Sequence, residues 1–195
     1  MKNIFPQILD IDSIEEQISE LYYDAMELSE GGTRDAKRAE KLLKNALAIN
    51  PHSVQVHVGF AHVYGALQDK EKAEEHIKIA YTETQKLFPV WPKRMLWGII
   101  ENRQYMRAIQ YRADLYADAK QNKKAIELYT LLLTMNPNDN QGVRYTISGV
   151  YAGIRGEKIN EMFDEGNEKQ NWDALEQLVK EQNAKHKFWK RPRLQ

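Results

Sequence analysis

Histidines come first among the residues able to do chemistry, because His52, His57 and His62 recur five apart in a single stretch. On one helix, at 100° per residue, the latter two point about 140° away from each other, which defeats shared metal coordination. His57 falls at a packing position, and both it and His62 read as satisfied or solvated histidines. The glycines offer no phosphate site: Gly31-Gly32 and Gly153 to Gly156 fall at helix ends or packing points and never follow a strand as a nucleotide fingerprint does. The chain has no cysteine, so thiolate zinc sites, disulfides and cysteine nucleophiles are absent. No nucleophile with its base, paired carboxylates or metal cluster stands out. The expectation is a non-enzyme with no catalytic residue, no metal and no cofactor.

Charge narrows the partners. The 28 basic and 28 acidic residues cancel, which argues against a global commitment to nucleic acid or an anionic membrane. Locally the signs separate. From Asp10 to Glu30 every formal charge is negative (Asp10, Asp12, Glu15, Glu16, Glu20, Asp24, Glu27, Glu30), whereas the closing KHKFWKRPRLQ carries only positive ones. That tail mixes bases with aromatics, as single-stranded nucleic-acid binders do, but it is short and terminal, so nucleic acid is disfavoured. The opening MKNIFPQILDID lacks the apolar segment of a signal peptide, and no apolar run approaches the roughly 20 residues of a membrane span. A cytoplasmic protein without membrane contact is expected.

Helices must position whatever these residues do. Ile14, Ile18, Leu21, Ala25 and Leu28 form an amphipathic stripe that ends at Glu30-Gly31-Gly32-Thr33, and a second helix, about Arg34 to Ile49, stops at Asn50-Pro51. Ser53 is a plausible N-cap for a helix carrying Phe60, Ala61 and Tyr64, followed by one with Ala73, Ile77 and Ala80. Ala39, Leu43 and Ala46 recur 34 residues later as Ala73, Ile77 and Ala80. Ala61, Tyr64, Ala73, Ile77 and Ala80 recur 52 residues later as Ala113, Tyr116, Ala125, Tyr129 and Leu132. The excess of 18 is the insertion 88–105, FPVWPKRMLWGIIENRQY, which reads as an irregular connector merging into a lengthened helix, its Phe88, Trp91 and Trp97 either covering an apolar edge or forming a binding lip.

A fourth pair opens at Asn138-Asp139-Asn140-Gln141, where Asn138 with Gln141 looks like a capping box, and continues through Val143, Ile147, Val150 and Ile154. Gly149 and Gly153 invite close approach of the next helix, a short one from about Glu157 to Phe163. After Gly166 a last helix starts near Asn171, with Trp172, Leu175, Leu178 and Val179 inward, and Phe188 and Trp189 extend its packing.

Small, aromatic and turn residues in this order, at a period of 34, resemble the tetratricopeptide repeat. ENRQYMRA (101–108) and NPNDNQGVRY (136–145) are also similar to a subgroup of microbial repeat proteins, most of them without an assigned function. The resemblance implies an all-α fold, a right-handed superhelix of antiparallel helix pairs, about four pairs plus a C-terminal capping helix. Its domains would be a repeat domain 1–170 (repeats about 18–51, 54–87 and 106–139, a degenerate one at 140–168, the insertion at 88–105) and a capping helix with basic tail at 171–195.

In that family the first helix of each pair lines a concave channel that holds extended peptide segments. The alignment places Tyr22 and Met26, then Gln55, Val58 and His62, then Arg107, Gln110, Asp114 and Asp118, then Gln141, Arg144 and Ser148 along it. Arg107 and Arg144 can each fork onto a partner's carboxylate, with Gln110 and Gln141 satisfying its backbone, or can pair with Asp114, Asp118 or Glu101 inside the chain. The variant that grips a partner's terminal carboxylate uses lysines, asparagines and an arginine; Val58, His62, Gln110 and Asp114 stand here instead, so a chaperone-tail receptor is not expected. The resemblance thus implies a non-catalytic module that binds a protein or peptide in the groove. The alternative is a structural homo-oligomer in which acidic N-terminal and basic C-terminal ends meet, a salt-sensitive association.

Overall fold

The computed structural model describes residues 11–192. Asp10 of the acidic run and residues 193–195 of the basic tail lie outside them. Among the described residues every regular element is helical, nine α-helices without a strand. The chain divides into two compact units, Met1–Glu83 and Thr84–Gln195.

The first unit holds α1 (Ile11–Ser29), α2 (Thr33–Ile49), α3 (Val54–Ala66) and α4 (Lys70–Leu87) up to Glu83, where the boundary crosses α4. Pro51 ends α2 as expected, and the Ser53 hydroxyl accepts the Val56 N–H at 3.4 Å to start α3. Ile18, Tyr22 and Ala25 of α1, Ala39, Leu43 and Ala46 of α2, and Val56, Phe60 and Val63 of α3 make one buried cluster. Gly59 is its pivot. A Cβ there would stand 3.0 Å from the Tyr22 ring and 3.1 Å from a Leu43 methyl, so three helices meet where a side chain is missing.

The second unit begins with the end of α4 and an irregular segment, then runs through α5 (Ile100–Asp118), α6 (Asn122–Met135), α7 (Val143–Ala152), α8 (Gly156–Lys169) and α9 (Asp173–His186). The insertion is the expected connector leading into a long α5. It is anchored: the Met95 N–H bonds the Met135 carbonyl at 3.0 Å, and the Phe88 ring lies 6.4 Å from Trp91 and edge-on to Tyr105 at 5.0 Å. α6 packs on α5 and α7, and both α8 and α9 pack on α7.

The repeat register is written in the turns. Gln68 closes α3 in a left-handed conformation, φ 58°, and Lys120 closes α5 with φ 57°. Asp69 N–H bonds the Tyr64 carbonyl at 2.9 Å, and Gln121 N–H bonds the Tyr116 carbonyl at 2.8 Å, a helix-ending motif recurring at the same offset of 52. Lys72 lies over the Tyr64 ring at 5.1 Å and Lys124 over Tyr116 at 5.2 Å, again 52 apart. Backbone and side chains therefore repeat together.

Three local expectations are corrected. The capping box Asn138/Gln141 does not form: Asp139, with φ 50°, accepts the N–H groups of Val143 at 2.7 Å and Arg144 at 3.1 Å. An ionised carboxylate satisfies two orphan donors at once, which the neutral Asn138 cannot do as strongly. The helix after Gly153 spans Gly156–Lys169 rather than stopping at Phe163. Gly166 lies inside it, and a Cβ there would come within 2.7 Å of the Trp172 ring, so this glycine makes room for an indole instead of ending the helix. Gly149 is the close-approach point expected, since its Cβ would stand 2.6 Å from Ile159 of α8; Gly153 is the left-handed residue ending α7.

Beyond α9 the chain folds back. Asn183 donates to the Trp189 carbonyl at 2.8 Å and accepts its N–H at 2.9 Å, and the Trp189 indole N–H reaches the Pro137 carbonyl at 2.9 Å. Phe188 is buried beside Tyr151.

Candidate functional site

The richest polar arrangement lies in the second unit, where α5 meets α6 and the turn ahead of α7. Helical spacing sets Arg107, Gln110, Asp114 and Asp118 along one strip of α5. Gln141, just ahead of α7, donates through Nε2 to the Gln110 Oε1 at 2.6 Å. The Gln141 Oε1 is shielded from water and has no hydrogen-bond partner among the described residues. One turn along α5, Asp114 accepts the Tyr129 hydroxyl of α6 at 2.5 Å. Burial, with a smaller contribution from the Asp118 charge, pushes the Asp114 pKa up to about 7, although the Tyr129 hydrogen bond works the other way. Burial and Asp114 likewise raise the Tyr129 pKa, so the phenol keeps its proton. Asp118 is exposed.

Arg107 and Arg144 differ. Arg144 is consumed within the chain: it bonds Asp139 at 2.9 Å and Glu176 at 3.0 Å, and its guanidinium lies over Tyr145 at 4.0 Å and Trp189 at 5.3 Å. Its partners are thus neither Asp114, Asp118 nor Glu101. The Tyr145 hydroxyl completes the cluster by donating to Glu176. Burial opposes the charge on Arg144, but the bonds to Glu176 and Asp139 raise its pKa, while burial lifts that of Asp139 despite Arg144. Ser148 is buried and donates back to the Arg144 carbonyl at 2.6 Å. Among the described residues Arg107 forms no ion pair with a carboxylate; its guanidinium lies 5.6 Å from the Trp97 ring centroid. An open cleft of ≈ 550 Å³ beside this cluster is lined by Glu176, Lys180, Asn183, Trp189 and Arg191.

In the first unit, Gln55, Val58 and His62 all stand on α3. Val58 is 3% exposed, Gln55 half-buried and His62 exposed. Tyr22 of α1 is buried in the same unit's core.

Several pairings escape a reading by spacing. His57 meets His76 of α4 with their Nδ1 atoms 2.8 Å apart, and the Tyr64 hydroxyl donates to Glu40 of α2 at 3.0 Å. Arg112 lies over the Tyr116 ring at 4.3 Å and donates to its hydroxyl at 2.9 Å. The first two join residues on different helices, which only the assembled pair brings together, whereas Arg112 and Tyr116 stand four apart on α5, as helical spacing allows. Among the described residues no group of three or more His, Cys, Asp or Glu is disposed to hold a metal ion, and no helix is long and apolar enough to cross a membrane.

Residues 32–80, from the Gly32 N-cap of α2 to Ala80 in α4, match the family model for the tetratricopeptide repeat. The chain carries a tetratricopeptide-repeat segment. Its tetratricopeptide register continues past the matched residues in the turn at Lys120 and the ring contact at Tyr116, both 52 residues beyond their counterparts. No curated protein and no solved structure matches the chain. Tetratricopeptide repeats typically mediate protein–protein interaction and are generally non-catalytic.

Proposed function

We propose that the chain is a non-catalytic interaction module that holds an extended peptide or partner segment against α5 and the start of α7. The observation that supports this reading is the Gln110–Gln141 amide pair. With the Gln141 Nε2 spent on the Gln110 Oε1, the pair leaves the Gln110 Nε2 to donate to a peptide carbonyl. The Gln141 Oε1 is shielded from water, so it meets a peptide N–H only when the Gln141 side chain turns outward. An acceptor shielded without a partner is costly, and a bound backbone N–H relieves that cost. Arg107, which among the described residues pairs with no carboxylate, stands within one turn of Gln110 on the same strip of α5.

The test uses the full chain. Peptides selected on it from a random display library are measured by calorimetry against the native chain and against Gln110→Ala with Gln141→Ala. Loss of two backbone hydrogen bonds predicts a drop of about tenfold or more in affinity. If every selected peptide binds the double variant as tightly as the native chain, the assignment fails.

A further inference from the structure

The insertion contributes more than an anchor. At its end the Trp97 ring holds two cations: the Arg103 guanidinium carbon lies 5.1 Å and that of Arg107 5.6 Å from the ring centroid. The Arg103 Nε donates to the Trp97 carbonyl at 3.0 Å, which fixes that side chain in place. Arg103 and Arg107 are four residues apart on α5, so two like charges crowd one indole, an arrangement that disfavours itself in the absence of an anion. Among the described residues neither arginine forms an ion pair with a carboxylate. By contrast, Arg144 in the same unit holds two.

Exposed apolar side chains flank Trp97 in the sequence. Leu96 is 54% exposed, Ile99 49% and Ile100 56%, three large aliphatic side chains next to Trp97 in the chain. Unpaired guanidiniums beside exposed aliphatics complement a segment that carries both carboxylates and bulky apolar side chains. The geometry points to the Trp97–Arg103–Arg107 corner as the specificity element of this module, selecting an acidic partner segment in which Asp or Glu alternates with large apolar residues. The corner is continuous with the amide pair, because Arg107 precedes Gln110 by less than one helical turn. A carboxylate bridging the two guanidiniums relieves their repulsion, and the flanking apolar side chain covers Leu96, Ile99 and Ile100. This inference rests on the peptide-holding reading above and names the chemistry of the segment held.

Three short fluorescent peptides separate the two ideas. All carry leucine at alternate positions; the remaining positions are glutamate, glutamine or lysine. By anisotropy with the full chain, the glutamate peptide binds at least about tenfold tighter than the glutamine peptide, the lysine peptide is weakest, and the preference shrinks at high salt. Arg103→Gln with Arg107→Gln abolishes the preference. Arg103→Glu with Arg107→Glu transfers it to the lysine peptide, a gain that misfolding cannot produce. Equal binding of all three peptides by the native chain overturns the acidic assignment. So does a preference that survives the glutamine substitutions, and so does failure of all three to bind. If the three bind equally and Gln110→Ala with Gln141→Ala weakens each of them, the acidic assignment falls while the peptide-holding reading stands.

Discussion

His57 and His76 face each other Nδ1 to Nδ1 at 2.8 Å across α3 and α4, at positions that correspond, 52 residues on, to Ile109 and Leu128. The His57 Nε2 donates to the Pro51 carbonyl at 3.1 Å, so its Nδ1 accepts and the His76 Nδ1 donates. The His76 ring also stacks on Phe60 at 4.3 Å. Two neutral imidazoles therefore stand in the first unit where the register has two aliphatic side chains in the next pair.

That pair makes stability depend on pH. Burial lowers both pKa values, that of His76 to about 4 with His57 adding to the effect; Glu83 and Glu75 oppose it at His57, and His52 reinforces it. With folded values below the unfolded one near 6.5, the unfolded chain takes up protons first, and stability falls as pH drops from about 6.5 toward 4. Urea melts at about pH 7 and pH 5 predict a loss of about 2 kcal/mol attributable to the pair. His57→Ile with His76→Leu flattens that slope. An equal slope in variant and native chain contradicts the assignment.

Asp114 acts in the opposite direction. Its folded pKa, about 7, lies above the unfolded carboxylate value, so its stability contribution is complete at low pH and is lost as pH rises toward 7. Asp114→Asn still accepts from Tyr129 without a charge to bury. The variant is expected to be more stable than the native chain by about 1–3 kcal/mol near pH 8, with the gain shrinking toward pH 4, as read by denaturant melts. A variant less stable by the same amount at every pH refutes the account.

Arg144 is a structural cation. Asp139 is 4% exposed, and its charge is held by Arg144 and by two backbone N–H groups. Arg144→Ala strands that charge and should cost about 2–4 kcal/mol in chemical unfolding. Arg107→Ala, which among the described residues loses a ring contact and no ion pair, should cost less than about 1 kcal/mol. Similar costs for the two would show that the Asp139 network is weaker than its geometry implies.

Gly149 tests the α7–α8 contact. Alanine favours helices by about 1 kcal/mol over glycine, yet its Cβ would stand 2.6 Å from the Ile159 Cγ1. Gly149→Ala should therefore destabilise by about 1–2 kcal/mol net, and Ile159→Ala, which removes both the Cγ1 and the Cδ1 that the new methyl would meet, should cost less in the Gly149→Ala chain than in the native one. A more stable Gly149→Ala protein would mean that Ile159 yields freely.

Elements with local causes were legible in the sequence: Pro51 ends α2, Ser53 starts α3, and the recurrence of Ala61 and Tyr64 as Ala113 and Tyr116 sets the register that the turns at Gln68 and Lys120 repeat. Gln110 and Gln141 are placed on one lining by alignment, but their hydrogen bond spans 31 residues and exists only once α5 and α7 are set by α6. Spacing relates His57 only to His62 on its own helix, whereas its partner, His76, is on the next. Gly166 reads as a break because glycine commonly ends helices, whereas here the missing side chain is filled by Trp172, a tertiary cause with no local signature. Arg144 carries the same formal charge as Arg107, and only the fold shows that Asp139 and Glu176 already hold it.

The most direct measurement for the central claim is a hydrogen–deuterium exchange footprint of the full chain with and without the tightest peptide selected from the display library. Slower exchange in α5 and in the segment from Asn138 to Ser148, with α1 and α9 unchanged, is the predicted result. Protection confined to α9 and the tail beyond it, with α5 exchanging at the same rate in both states, would contradict it.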